Sequence, residues 1–166
     1  MREEDAAMAE AVCNTSPIQY LHQVGLLEIL PTLYCRVVLP RAVMDELDLG
    51  RLRGVDLPET TGLSWMDVID VDSKMVRQSR GIHRGEAEAI ALAKSRDGAT
   101  LILDDLAARS YARATGLSVT GTLGILARAK REGLVDCLGP VVEALCDAGF
   151  RLAKATRSDF LKLVGE

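Results

Sequence analysis

The chain has 166 residues, of which 48% are hydrophobic and 27% charged, the profile of one soluble globular domain rather than a disordered chain. No apolar run approaches the roughly 18 residues of a membrane span, and the opening residues MREEDAAMAEAV are acidic, without the basic and apolar regions of a secretory signal, so the cytoplasm is the expected location. A net charge of −4 argues against a dedicated DNA-binding protein but leaves room for an enzyme with an acidic pocket and a local basic rim.

Patterning begins after Met8, so residues 8–166 are expected to form a single domain and residues 1–7 a disordered extension. AEAVC predicts a short strand ending at Asn14. TSPIQYLHQVG predicts a helix, with Ser16 as its N-cap and Pro17 at the first helical position. LLEILPTLY reads as a second short helix stopped near Pro31, CRVVLP as a strand, and RAVMDELDLG as a helix ended by Gly50. Arg51 to Trp65 is the least patterned stretch and is expected to be a long loop, followed by strand WMDVIDV. RGEAEAIALAKSR, from Arg84 to Arg96, is rich in helix formers. Strand TLIL, helix LAARSYARAT, the stop Gly116, strand LSVT and helices TLGILARAKREG, GPVVEALCDAG and RSDFLKLVG complete the chain. Strands alternating with helices imply parallel pairing with crossover helices on both faces, an α/β three-layer domain.

Cys13, Cys35, Cys137 and Cys146 form no C-x-x-C pair, and three of them sit in apolar contexts expected to be core. With only His22 and His83 available, any metal would have to be held by oxygen. The polar residues that follow strands are Asn14, the pair Asp104 and Asp105, and Thr120 with Thr122; Glu46 lies in the helix after the second strand and Glu86 in the first turn before the fourth. A parallel sheet brings such positions to its carboxyl edge. Converging carboxylates repel unless a cation sits between them, and a hard divalent ion, Mg²⁺ or Mn²⁺, is the natural partner for oxygen ligands. Each residue also has an ordinary use: Asp104 as a helix N-cap, Asp105, Glu86 and Glu88 in helical first turns, Glu46 on a solvated surface, Asn14 as a cap or turn residue. Their joint occurrence is what points to a site.

The stretches CNTSPIQYLHQVGLLEIL, VVLPRAVMDEL, HRGEAEAIALAKS and LILDDLAARSYARATGLSVTGTLGILARAKREGLV resemble a prokaryotic, VapC-toxin-related branch of the PIN-domain superfamily, over about Val12 to Val135. The resemblance implies a three-layer α/β/α PIN-like fold with a central, mostly parallel sheet, and a metal-dependent endoribonuclease. Carried over by position, its four acids fall on Asn14, Glu46, Glu86 and Asp105, which become the expected catalytic residues. Asn14, Glu86, Asp104 and Asp105 are the expected ligands of Mg²⁺ or Mn²⁺, with Thr120 or Thr122 in a supporting polar role. Arg84, Arg109, Arg113 and Arg128 are the candidates for holding the RNA backbone. Many such proteins are the toxin halves of toxin–antitoxin pairs, so the implied partners are RNA, an antitoxin protein and, since the family often dimerises, a second copy. Leu21, Leu26, Leu27, Ile29 and Leu30 offer apolar surface for that homodimer, and no membrane partner is expected.

One departure matters: Asn14 stands where a typical PIN nuclease has Asp, offering a carbonyl oxygen without charge. The alternative is therefore a catalytically weakened PIN-like module that binds RNA or a protein partner without cleavage. At 4% aromatic residues there is little for bases to stack on, and Tyr111 is expected to pack between helices. A receiver-like phosphotransfer domain would need an acceptor Asp on a middle strand and a Lys after the last, yet the acidic pair comes late and Lys130 is the first Lys after the fifth strand. The lack of G-x-x-x-x-G-K-[ST] and G-x-S-x-G excludes a phosphate-loop NTPase and a serine hydrolase.

Overall fold

The structure, a computed structural model, describes residues 9–77 and 79–166. The extension expected over residues 1–7 lies outside them. Short runs of aliphatic residues form the strands β1 (Glu10–Cys13), β2 (Arg36–Pro40), β3 (Met66–Ile69), β4 (Thr100–Ile102) and β5 (Ser118–Thr120). They pair in the order β3-β2-β1-β4-β5, and every pairing is parallel. The helices between and after them are α1 (Thr15–Gln23), α2 (Ile29–Leu33), α3 (Arg41–Leu52), α4 (Arg84–Lys94), α5 (Leu106–Ala114), α6 (Thr122–Arg131), α7 (Gly139–Asp147) and α8 (Lys154–Leu163).

Alternation along the strands divides the core into two layers. Ala11, Cys13, Val37, Leu39 and Ile102 face one side, where α1, α2, α3, α6, α7 and α8 contribute Ile18, Leu30, Leu47, Leu126, Leu145 and Phe160. Val12, Val38, Leu101 and Leu103 face the other, covered by Ile90 and Leu92 of α4 and Ala108 and Ala112 of α5. This is the expected α/β/α architecture, with an all-parallel rather than mostly parallel sheet. The chain lays β2 and β3 to one side of β1 and β4 and β5 to the other, so its winding reverses between β1 and β4. In open α/β sheets ligands bind in the crevice beyond the carboxyl ends of the strands at such a reversal. Asn14 and Asp104–Asp105 follow the two strands that flank it.

Several local expectations are corrected. Asn14, not Ser16, is the N-cap of α1, and Pro17 sits one turn inside it. Pro31 lies within α2 rather than stopping it, because the N–H it lacks has no acceptor in a helical first turn. The third helix runs through Gly50 to Leu52, and the residue that releases the chain is Gly54, at φ 83° just past the C-cap Arg53. The expected loop after Gly50 therefore begins helical, and it also contains a 3₁₀ turn at Thr60–Gly62. Of the cysteines only Cys13 is buried; Cys35 and Cys137 are exposed and Cys146 is intermediate. Leu21, Leu27, Ile29 and Leu30 are buried in the protein's own core, and Leu26 is half-buried. Among the described residues no helix is long and apolar enough to cross a membrane.

Glu166 ties the helical layer together. Its carboxylate accepts from the backbone N–H groups of Leu138 (2.6 Å) and Gly139 (2.7 Å) at the start of α7, and from the Lys130 ammonium of α6. The Leu138 N–H first, then Lys130, Cys137 and the Gly139 N–H, hold its pKa down from the ordinary 4.5 to about 2. A carboxyl depressed in the folded state contributes stability that is complete above its unfolded value and vanishes as pH falls through the folded one. Glu166→Gln should therefore melt lower than wild type at neutral pH, with the gap closing between pH 4.5 and about 2, as thermal denaturation across that range would reveal.

Candidate functional site

The end of β4 places the two neighbouring acids in different environments. Asp105 is the N-cap of α5: its Oδ1 accepts from the Ala108 N–H at 2.8 Å, and its second oxygen has no hydrogen-bond partner among the described residues. Asp104 turns to the opposite side. Its two oxygens accept from the Thr122 N–H and the Thr122 hydroxyl, both at 2.7 Å, so it caps α6 from outside that helix. The capping role expected of Asp104 at the start of α5 thus belongs to Asp105. Burial pushes the Asp104 carboxyl above its ordinary range, while Thr122 and, further off, Arg109 pull it back. Gly121 lies between Asp104 and Arg109: a Cβ there would stand 2.8 Å from Asp104 Oδ1 and 3.3 Å from Arg109 Nη1. Cys13 lies close by, and its thiol is pushed up, by burial first and the Asp104 charge second, so it stays protonated.

On the α4–α5 side stand the remaining acids. Glu86 is buried in the first turn of α4, where Oε2 accepts from the His83 N–H at 2.9 Å, the return arm of a capping box. Burial raises the Glu86 carboxyl above its usual range. The His83 N–H opposes that shift, and the charges of Asp105 and Glu46 reinforce it. Glu46, on the solvent side of α3, lays its carboxylate against Gly85 and accepts from the Thr15 hydroxyl. Asn14 shares the parity of Val12, which sets it on this same side of the sheet. It is 6% exposed, and its Oδ1 is buried with no hydrogen-bond partner among the described residues.

The structure thus brings Asn14, Glu46, Glu86 and Asp105 to one edge and turns Asp104 and Thr122 toward each other behind it. The Thr120 hydroxyl points at Gly124 in the first turn of α6. Among the described residues no three His, Cys, Asp or Glu side chains stand close enough to hold an ion by themselves. The arginines separate. Arg109 sits at this edge, its Nε buried and without a partner among the described residues. Arg84 is tied to Glu88 at 2.9 Å, and Arg113 is exposed in the last turn of α5. Arg128 bonds Glu132 (2.7 Å) and the Leu33 carbonyl (3.0 Å) and lies over the Tyr34 ring, at the amino end of β2 and thus the far end of the sheet. Tyr111 is half-buried on α5 with Lys94 of α4 over its ring.

Two roles escape the sequence. Glu88 is buried and accepts from the Ala42 N–H at 3.1 Å, capping α3 from a neighbouring helix. Thr15 and Gly85 flank Glu46. The one signal available for them is a lone glycine among the alanines of α4.

A family model, DUF3368, described as a PIN domain, matches residues 10–166. Among curated proteins nothing matches. A solved structure of a PilT N-terminus domain protein from the hyperthermophilic archaeon Sulfolobus solfataricus P2 is similar at 18% identity and a TM-score of 0.49, covering 87% of this chain and 97% of that one.

The two neighbouring acids should respond differently to truncation. Asp104→Ala strips both acceptors from the buried Thr122 and should cost about 1–3 kcal/mol. Asp105→Ala removes a single cap bond and should cost less, about 1 kcal/mol. Urea unfolding of the two variants measures the difference.

Proposed function

The chain belongs to the PIN-domain family, and on that premise we propose that it is a metal-dependent endoribonuclease, hydrolysing RNA phosphodiesters at a Mg²⁺ or Mn²⁺ site held by Asn14, Glu86 and Asp105. The observation that carries this reading is the buried, unpartnered Asn14 Oδ1 at the winding reversal, on the same side of the sheet as Glu86. A buried acceptor left unpaired costs about 1–3 kcal/mol. A hard cation would supply its partner, and Asn14, Glu86 and Asp105 would each offer it oxygen, as such an ion requires. PIN domains generally use divalent metals. A bound divalent ion supplies positive charge that makes a water more acidic and offsets the charge developing on phosphate.

The chain's own groups do the rest. Asp105 is held in place by its cap bond to Ala108, and Glu86 by its bond to His83. Glu86, buried in the first turn of α4, would serve as a ligand. Glu46, fixed by the Thr15 hydroxyl, adds negative charge or a proton acceptor for an attacking water. Arg109 stands at the same edge to meet a phosphate, with Arg84 and Arg113 further out on the α4–α5 side. The toxin role, with an antitoxin protein as partner and a second copy of the chain, extends this proposal on the family resemblance.

A second reading has its own support. Asn14 carries no charge, and the carboxylates do not close into a trio. Fewer charges weaken a hard-cation site, which favours a module that binds RNA or a protein partner without cutting.

Calorimetric titration with Mn²⁺ and cleavage of labelled RNA separate the two. Asp105→Asn keeps a good helix cap, so it should fold normally while losing Mn²⁺ affinity by at least about tenfold and losing cleavage. Retained cleavage in that variant would sink the nuclease assignment. Asn14→Asp should tighten Mn²⁺ binding; binding of RNA by wild type without metal or turnover would establish the second reading instead.

A further inference from the structure

We propose that Gly85 is a positioning residue for Glu46: by carrying no side chain in the first turn of α4, it keeps open the seat in which the Glu46 carboxylate rests beside the Thr15 hydroxyl. The inference rests on the metal-site reading above and names what holds one of its acids in place. Gly85 is buried, and its φ is not positive, so the backbone there does not require glycine. The helix otherwise uses alanine wherever it needs a small residue, at Ala87, Ala89, Ala91 and Ala93. Glycine is a poorer helix former than alanine, so local stability favours alanine at this position too. Space explains the exception. A Cβ on Gly85 would stand 2.5 Å from Glu46 Oε1, 3.0 Å from its Cδ and 3.1 Å from Oε2.

What the added methyl would strike is the end of a flexible side chain, not backbone. The helix would stay as it is and the carboxylate would give way. Glu46 is on the exposed side of α3, so its displaced carboxylate would swing into solvent, breaking the Thr15 hydrogen bond and leaving the turn that carries Glu86. Positioning and stability therefore pull in opposite directions at this residue, which makes the role testable. A glycine needed only for packing or turning would lower both when replaced.

The test is a calorimetric titration of Mn²⁺ into wild type, Gly85→Ala, Glu46→Gln and the double variant, with thermal denaturation of each. It is joined by crystal structures of metal-free wild type and Gly85→Ala. Gly85→Ala should raise the Mn²⁺ dissociation constant about ten- to a hundredfold, with a melting temperature equal to or above that of wild type. In the Glu46→Gln background it should cost nothing further, because both changes act through the same carboxylate. Wild-type affinity in Gly85→Ala would overturn the proposal, and so would an equal loss added on top of Glu46→Gln. If wild type binds no Mn²⁺, the metal reading fails by itself and the crystal structures decide the positioning role: a carboxylate moved off Thr15 upholds it, and an unmoved one overturns it.

Discussion

At the end of β4 the pleat of the strand sends two adjacent carboxylates to opposite faces of the sheet, and the chemistry of the carboxyl edge is arranged around that division. Asp104 follows the parity of Ile102 and meets Thr122 at the start of α6. Asp105 starts α5 on the opposite face, close enough to Glu86 to bear on its proton affinity. One acid is fully engaged as a structural acceptor, and the other keeps an oxygen free. Because β1 lies beside β4, Asn14 completes the second group from the neighbouring strand. The winding reverses between those strands, the place at which open α/β sheets bind their ligands.

Several carboxylates at one edge oppose folding, and the architecture counters this with its helices. In a parallel sheet each helix that follows a strand begins at the carboxyl edge, so α1, α3, α5 and α6 all present their amino ends there, and α4 begins there to return to β4. The partial positive charge of those ends favours anions. Glu86, Asp105, Asp104 and Glu88 each accept a backbone N–H at the start of a helix, so most of the negative charge is already engaged within the protein. Asn14 is the exception, because its carbonyl oxygen is buried without such a donor.

Much of this was legible in the sequence. Aliphatic runs marked the strands, and alanine- and leucine-rich stretches marked the helices, because burial and propensity are local in kind. The acids were legible as a group because strand ends and helix starts can be counted along the chain. Which acid serves which partner was not. Asp104 and Asp105 are both good caps in isolation, and only the position of Thr122, folded against the end of β4, assigns them. Glu88 looked like a first-turn acid of its own helix, but its partner Ala42 lies on another helix, far away in sequence. Arg128 looked like a free cation. The turn that bonds it ends at Tyr34, and the direction in which α6 runs from the edge carries it away from the acids. Pro31 and Gly50 misled for a different reason: each is a helix breaker by propensity, and each occupies a place where that penalty is small or overridden by packing.

The parity at the end of β4 also has a consequence for descent. A codon gained between Leu103 and Asp104 would exchange the faces served by the two acids, and one lost at Asp104 or Asp105 would leave a single acid for two helices. Substitution can alter this stretch one side chain at a time, but its length is fixed much as a reading frame is.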